Sequence, residues 1–241
     1  MTYCVGALLS DGMIFASDSR TNAGLDNFAQ FCKMTVFERA GDRVIVLLSS
    51  GGLSGTQAII SVLKQRCESS DSTPNLMSAR TMFDVAGLIT DATREIERRD
   101  GGHLKTDLSF NASFIFGGQL KGEPMRLFRS YAETNFIEAE LGTPFLQTGE
   151  TKYGRPILDR VLTRFTSLTE ATKCVLVSFD STMRCNLSVG MPIDLLCYER
   201  DSLEVRRRRR LDQGDPYFAS LSNEWGEGVR KVFRELPDLE W

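Results

Sequence analysis

The first fifth of the chain carries short apolar runs that predict β-strands. Residues 3–9 and 13–17 are apolar and β-prone, and the Ser-Asp-Gly segment between them is typical of a hairpin turn. Residues 31–38 alternate in character, whereas residues 43–48 are continuously apolar, as expected of a strand that is buried on both faces. This part of the sequence therefore predicts four strands before the first helix.

Helical periodicity follows, and then strands return. Residues 55–68 fit a helix, and residues 79–98 place apolar side chains three and four positions apart, the spacing of an amphipathic helix. Further helices are predicted at 151–167 and about 217–235, and further strands at 109–117, 125–130, 143–147, 173–179 and 191–198. Because continuously apolar strands need cover on both faces, this order predicts two stacked sheets flanked by layers of helices.

Composition narrows the class of protein. The chain has 241 residues, of which 41% are hydrophobic and 25% charged, values typical of a folded protein and not of a disordered or collagen-like one. No break in composition divides it, so we expect a single domain over residues 1–241 with a substantial core. No apolar run approaches the ~20 residues of a membrane-spanning helix. The start shows no signal-peptide pattern and the net charge is −3, so we expect a cytoplasmic protein that binds neither membrane nor nucleic acid.

The chain contains a single histidine, His103. A catalytic triad, a histidine base or a two-histidine metal site would have to use it or do without, and its Gly-rich surroundings predict a solvated surface loop. The six cysteines include no CxxC pair, which argues against a zinc site or a thioredoxin-like redox centre. We therefore expect no metal and no cofactor, and a base other than histidine if the chain is an enzyme.

The second residue offers such a base. If Met1 is removed, Thr2 becomes the amino terminus, and its α-amino group has an ordinary pKa of ~7.7–8.0, so that a large neutral fraction exists near pH 7. A threonine hydroxyl activated by its own amine is a known form of nucleophile. Threonine is also a common second residue with no such role, so the hypothesis depends on the residues that accompany it.

Three further features supply what such a nucleophile needs. Asp18 follows the second predicted strand, and Lys33 lies inside the third, where a lysine among apolar residues needs a carboxylate partner or an open site. Gly51 and Gly52 end the fourth strand and precede a helix, where backbone N–H groups can face a developing oxyanion. An acid, a cation and an oxyanion donor therefore fall close to Thr2 in the sequence.

A set of separated motifs runs in one order along nearly the whole chain. It consists of Thr2, Asp18-Ser19-Arg20, Ala23-Gly24, Lys33, Ser50-Gly51-Gly52, TGETKYGRPIL, SFDSTMRCNLSVGMPID, DPYF and WGEGVRKVF. This set resembles the proteasome β subunits and in particular their bacterial branch called Anbu, the ancestral β subunit. The resemblance implies a four-layer αββα sandwich, the N-terminal-nucleophile hydrolase fold of mixed α/β (α+β) class, and assembly into homo-oligomers that are ring-like or helical.

The resemblance also implies roles for individual residues. Thr2 corresponds to the nucleophile, Lys33 to the catalytic lysine, and Asp18 to the acid that pairs with that lysine. Gly51 corresponds to the glycine whose N–H completes the oxyanion hole. Thr148 stands where the family has a serine and keeps the hydroxyl.

One family segment departs from its pattern in this chain. Ser188 matches a serine that supports the free amine in the family. Cys185 stands where the family has the aspartate that does the same, and Asp180, five residues upstream, is a carboxylate that could reach in from the same loop.

The resemblance places the primary specificity pocket around four residues: Thr21, Phe31, Ser49 and Leu53. Phe31 and Leu53 are larger than alanine or valine, so we expect a narrow pocket that prefers small or medium apolar side chains.

The sequence thus favours a threonine-type peptide hydrolase that acts on a peptide or an unfolded protein by acyl transfer. A small-molecule amidase of the same fold and a non-catalytic assembly subunit are the alternatives, and cooperation with an ATP-driven unfoldase is left open.

The five consecutive arginines Arg206–Arg210 are expected on an edge strand or a subunit contact, and the last helix near the same contact.

Overall fold

The computed structural model describes residues 2–22, 28–69, 73–100, 111–131, 135–140 and 142–241. The strands are β1 (Tyr3–Leu8), β2 (Gly12–Asp18), β3 (Arg20–Asn22), β4 (Phe28–Gln30), β5 (Met34–Arg39), β6 (Arg43–Gly51), β7 (Ala112–Leu120), β8 (Arg126–Ser130), β9 (Phe136–Glu138), β10 (Phe145–Gly149), β11 (Ile193–Glu199) and β12 (Arg207–Leu211). The helices are α1 (Leu53–Glu68), α2 (Met82–Asp100), α3 (Arg155–Val161), α4 (Leu168–Cys185) and α5 (Pro216–Glu235).

Two five-stranded antiparallel sheets form the centre of the molecule. The first sheet has the strand order β10-β1-β2-β11-β12 and the second has the order β5-β6-β7-β8-β9. Strands β3 and β4 form a separate two-stranded sheet. The first two strands of the chain therefore lie inside one sheet, and the fifth and sixth lie in the other, so that the site motifs are divided between the two sheets.

The two faces of each sheet pack against different layers. In β1, Tyr3 and Val5 pack against residues of α3 and α4, while Cys4 lies in the apolar layer between the two sheets. In β6, Ile45 and Leu47 pack against α1 and α2. This alternation produces four layers, helices–sheet–sheet–helices, and confirms the predicted αββα sandwich.

Gly6 shows how closely the sheets approach one another. A Cβ at this position would lie 2.8 Å from Ile115 Cγ2 and 2.9 Å from Leu127 Cδ1, both on the facing sheet. Only a residue without a side chain fits there unless these apolar residues shift.

The predicted strand at 173–179 is wrong, because these residues belong to helix α4. Residues 174–179 are all buried because the helix is covered both by the first sheet and by α5, so within this run only Lys173 marks an exposed face. Ser167 caps the helix, and its hydroxyl accepts from the Glu170 N–H while the Glu170 carboxylate accepts from the Ser167 N–H. This capping box is the signal that identifies the helix.

Two other boundaries differ from the prediction. The helix expected over 151–167 is limited to α3, which ends at Val161. The strand expected over 31–38 begins only at Met34, so Lys33 lies in the segment between β4 and β5 and not inside a strand. The other predicted helices and strands are confirmed within a few residues where the structure describes them; His103 lies outside the described residues.

Strand β12 carries four of the five consecutive arginines and is the edge strand of the first sheet, which confirms the predicted edge position. The neighbouring acidic groups are in the same chain: Arg207 pairs with Glu199, and Arg210 with Asp194. The Arg207–Glu199 pair is open to solvent, and a pair of this kind contributes little stability. Within the described residues, no helix is long and apolar enough to cross a membrane.

Candidate active site

Thr2 is held by backbone hydrogen bonds at the start of β1, between the ends of two neighbouring strands. Its carbonyl accepts from the Glu150 N–H at 2.7 Å, and the N–H of the next residue, Tyr3, donates to Asp18 Oδ1 at 3.0 Å. Thr2 is 8% exposed. The residue that would become the amino terminus therefore has a fixed, buried place beside β2 and β10.

The Asp18 carboxylate also pairs with Lys33. Lys33 Nζ lies 2.6 Å from Asp18 Oδ1, and the two side chains are 4% and 0% exposed. The same ammonium donates to the Arg20 carbonyl at 2.7 Å. Because the ammonium and the Tyr3 amide share one carboxylate oxygen, the structure brings Lys33 next to the peptide that follows Thr2.

The second sheet holds the backbone of Lys33. Its carbonyl accepts from the Ser49 N–H at 2.9 Å and from the Ser49 hydroxyl at 3.3 Å. A lysine side chain has about 2 kcal/mol of rotamer entropy to lose on ordering, so fixing both its carbonyl and its ammonium is what gives it one position.

Burial dominates the electrostatics of this pair. Burial raises the pKa of the Asp18 carboxyl, and the Lys33 ammonium together with the Tyr3 and Gly190 N–H groups opposes that rise. Burial also raises the pKa of the Cys4 thiol and that of the less deeply buried Cys32 thiol. Since a thiol reacts as its thiolate, neither cysteine competes with Thr2 as the nucleophile.

Gly51 is the last residue of β6, and Gly52 separates it from α1. Its φ is +105°, and a Cβ there would lie 2.1 Å from the Asn111 carbonyl oxygen, so no other residue fits without a shift of the backbone. The N–H of the next residue, Gly52, donates to the same oxygen at 2.7 Å. The Gly52 N–H is therefore already used in this hydrogen bond, and the Gly51 N–H remains the candidate oxyanion donor of the two.

Thr148 links the two sheets through hydroxyl groups. Its Oγ1 lies 2.9 Å from Ser50 Oγ and 3.2 Å from Ser113 Oγ, and Ser113 donates in turn to the Ser130 carbonyl. Thr148 is in β10 and Ser50 in β6, next to Gly51. The hydroxyl predicted from the sequence thus lies in a buried polar contact between the sheets that carry Thr2 and Gly51.

The segment after α4 differs from the expectation. Cys185 is the exposed last residue of α4. The expectation that Asp180 reaches the amine from the same loop is wrong, because Asp180 lies inside α4. Its carboxylate accepts from the Arg184 guanidinium and from the Ser222 hydroxyl, and the second of these bonds joins α4 to α5. Ser188 is half-buried, and its N–H donates to Asn186 Oδ1 at 2.9 Å.

Sequence reasoning missed Glu150 and Asn186. Glu150 directly follows the Thr148-Gly149 pair and is 8% exposed. Asn186 Nδ2 donates to Glu150 Oε2 at 2.9 Å, which links the end of β10 to the end of α4. The only signal in the sequence is that Glu150 stands one residue beyond a recognised motif.

The four residues predicted to line the pocket lie in the segments next to Asp18, Lys33 and Gly51. Ser49 is buried against the Lys33 carbonyl, and the Phe31 N–H donates to the Ser19 carbonyl at 2.8 Å. Thr21 follows Arg20, whose carbonyl accepts from Lys33, and Leu53 begins α1 with 38% of its surface exposed. Among the described residues, no group of three or more His, Cys, Asp or Glu side chains is arranged to hold a metal ion.

Two stacked antiparallel sheets between helical layers, with the amino-terminal strand beside a buried lysine–aspartate pair, define the proteasome-like N-terminal-nucleophile fold. Neither a family model nor a curated protein matches the chain.

Solved structures give the family. "Anbu (ancestral beta-subunit) from Yersinia bercovieri" is 45% identical with a TM-score of 0.93, over 99% of each chain. "Anbu (Gly-1) mutant from Hyphomicrobium sp. strain MC1" is 47% identical with a TM-score of 0.95, over 100% of each. "Helical Assembly of the Anbu Complex from Pseudomonas aeruginosa" is 44% identical with a TM-score of 0.94, over 99% of this chain and 98% of that one. The chain belongs to the Anbu family.

Proposed function

We propose that this chain is a threonine-type peptide hydrolase that works by acyl transfer from Thr2, once the residue before Thr2 has been removed. The observation that carries the proposal is the buried Lys33–Asp18 pair at 2.6 Å, whose carboxylate also accepts from the Tyr3 N–H. A buried ion pair is weak evidence for stability, because desolvation offsets its attraction. What favours catalysis is the position of the pair beside the Thr2–Tyr3 peptide, the one peptide bond that Thr2 would keep as the amino-terminal residue.

The proposed mechanism uses groups of the chain alone. The Thr2 Oγ attacks the carbonyl carbon of the scissile peptide, and the Thr2 α-amino group takes the hydroxyl proton, directly or through a water. The Gly51 N–H stabilises the oxyanion, and the positive charge of Lys33 favours the oxygen nucleophile as it loses its proton. The amine returns the proton to the leaving nitrogen, and water then hydrolyses the ester on Thr2 by the reverse path.

A peptide panel tests the activity and the pocket together. We expect fluorogenic peptides with small or medium apolar side chains before the scissile bond to be cleaved. Leu53→Ala should improve the cleavage of peptides with larger side chains at that position by about ten-fold, since a few methylene groups in a pocket change selectivity by this order. Intact mass before and after a threonine-directed covalent inhibitor reports labelling of Thr2.

The same panel separates the alternatives. Turnover of a small-amide library without peptide cleavage would favour the amidase. No turnover and no labelling by protein that lacks Met1 would favour the non-catalytic subunit. Efficient cleavage after arginine or glutamate would contradict the narrow apolar pocket.

We further propose that α5 carries a contact between copies of this chain. Its first turn packs on the body through Phe218, whereas from Asn223 onwards the helix is almost wholly exposed. Trp225, Val229 and Phe233 lie on one face at helical spacing and are all exposed. An apolar stripe on an exposed helix fits the core of a protein–protein interface, and one relative's structure is described as a helical assembly.

Assembly is expected to weaken when this stripe becomes charged. In Val229→Asp, association would have to bury a carboxylate, so the assembled fraction should fall at least ten-fold at equal concentration, since burying an unpaired charge costs several kcal/mol. Size-exclusion chromatography with light scattering measures this. Asn223→Asp adds the same charge to the same helix away from the stripe and should assemble as the unaltered chain does. A stable 27.0 kDa monomer of the unaltered chain would show the proposal to be wrong.

A further inference from the structure

Glu150 lies across the strand pair from Thr2. The β1–β10 register pairs Cys4 with Thr148 and Tyr3 with Gly149, and the Glu150 N–H donates to the Thr2 carbonyl at 2.7 Å, which continues the ladder by one step. The Glu150 side chain therefore starts beside the residue whose amine the proposed mechanism uses.

The Glu150 carboxylate is buried and oriented. Its side chain belongs to a residue with 8% exposure, equal to that of Thr2. Oε2 accepts from Asn186 Nδ2 at 2.9 Å, and Asn186 is fixed in turn because its Oδ1 accepts from the Ser188 N–H. A carboxylate that is this buried needs hydrogen bonds or a positive partner to offset its desolvation.

The charges around Thr2 determine what partner its α-amino group needs. The charge of Lys33 is matched by that of Asp18, so an α-ammonium group on Thr2 would be a second buried positive charge. The Arg20 guanidinium donates to the Leu187 carbonyl, on the side of α4. Other titratable groups on the surrounding elements are the Tyr3 phenol, the thiols of Cys4, Cys32 and Cys185, and the side chains of Lys152 and Tyr153. Asp180 and Arg184 of α4 pair with each other.

We propose that Glu150, oriented by Asn186, is the positioning residue that binds the freed α-amino group of Thr2. The inference rests on the proposed function only for the removal of the residue before Thr2. Glu150 holds the amine toward the threonine hydroxyl and stabilises its protonated form, and Asn186 keeps the carboxylate from turning away. The role that neither Cys185 nor Asp180 can perform in this structure is thereby filled from the end of β10.

The test measures the amine directly, independently of turnover. Protein lacking Met1 is labelled with ¹³C-threonine, and the Thr2 Cα signal, assigned by its loss in Thr2→Ser, is followed against pH. In Glu150→Gln the amine loses a facing negative charge, so its pKa should fall by about one unit. Glu150→Asp keeps a shorter carboxylate and should give a smaller shift. Glu140→Gln removes an equal charge from an exposed residue and should give none.

The outcomes separate this inference from the proposed function. An amine pKa in Glu150→Gln no lower than in Glu140→Gln would overturn the role of Glu150, whatever the activity. If Glu150→Gln does not fold, an unchanged amine in folded Asn186→Ala and Glu150→Asp would overturn it equally. If the amine responds to Glu150 as expected but the protein cleaves no peptide, the pairing is supported and the proposed hydrolase is wrong. Where peptides are cleaved, the acid limb of kcat/KM should move to lower pH by the same amount as the amine.

Discussion

Thr2→Ala is expected to reduce peptide hydrolysis by about 10³-fold or more, the scale on which removal of a nucleophile acts, while the fold is retained. The hydrogen bonds that place this residue use the backbone, through the Thr2 carbonyl and the Tyr3 N–H, and alanine keeps both. The loss of one small buried side chain should cost about 1 kcal/mol of unfolding free energy. Turnover of the panel peptides and urea denaturation measure the two effects.

The controls for this prediction concern the amine as well as the hydroxyl. Thr2→Ser keeps both groups and should keep part of the activity, and a boronate should bind Thr2→Ser but not Thr2→Ala. Activity should also follow the fraction of molecules that lack Met1 by intact mass, because a retained Met1 turns the amine into an amide that cannot take a proton. Full activity of homogeneous protein that retains Met1 would rule out the N-terminal-nucleophile mechanism.

Much of the fold could be predicted because most buried strands are apolar on both faces. Strands β1, β2 and β6 are read directly from such runs, and the Asp-Gly turn fixes the first hairpin. The same feature caused the main error: residues 174–179 of helix α4 are all buried and five of these six are apolar, so this short run does not separate strand from helix. The capping box at Ser167 and Glu170 carries that distinction.

The candidate site could be predicted in part. The need of a buried lysine for a carboxylate pointed to Lys33 and Asp18, and the structure brings them together. Glu150 and Asn186 could not be found this way, because their proximity to Thr2 depends on the register of β1 with β10 and on where α4 ends. The spacing of residues along the chain reveals neither the strand register nor the end of the helix. The same spacing led to the wrong expectation that Asp180 reaches the site.

Lys33→Met should lower turnover by about 10²- to 10³-fold, the scale on which one preorganised electrostatic group acts. It should also destabilise the fold by about 3–5 kcal/mol near pH 8, because it leaves the fully buried Asp18 without its cation. Urea denaturation at several pH values measures this loss of stability.

The pH dependence of this loss follows from the Asp18 carboxyl. Burial raises its pKa in the folded chain, and removal of the Lys33 ammonium takes away the largest opposing influence, while in the unfolded chain the pKa stays near 3.9. A group whose pKa is raised on folding stabilises the fold below its unfolded pKa, and that contribution is lost as the pH rises through the raised value. Lys33→Met should therefore be least destabilised near pH 4 and increasingly so toward pH 8.

The double variant Asp18→Asn/Lys33→Met distinguishes lost charge balance from lost packing. Asparagine keeps an oxygen that can accept from the Tyr3 N–H and carries no charge, so the double variant should recover most of the stability near pH 8 and lose the pH dependence. Its turnover should stay as low as that of Lys33→Met, because both variants lack the Lys33 ammonium. Full turnover in either variant would remove Lys33 from the mechanism, and further destabilisation by Asp18→Asn would show that Asp18 acts through packing and not through its charge.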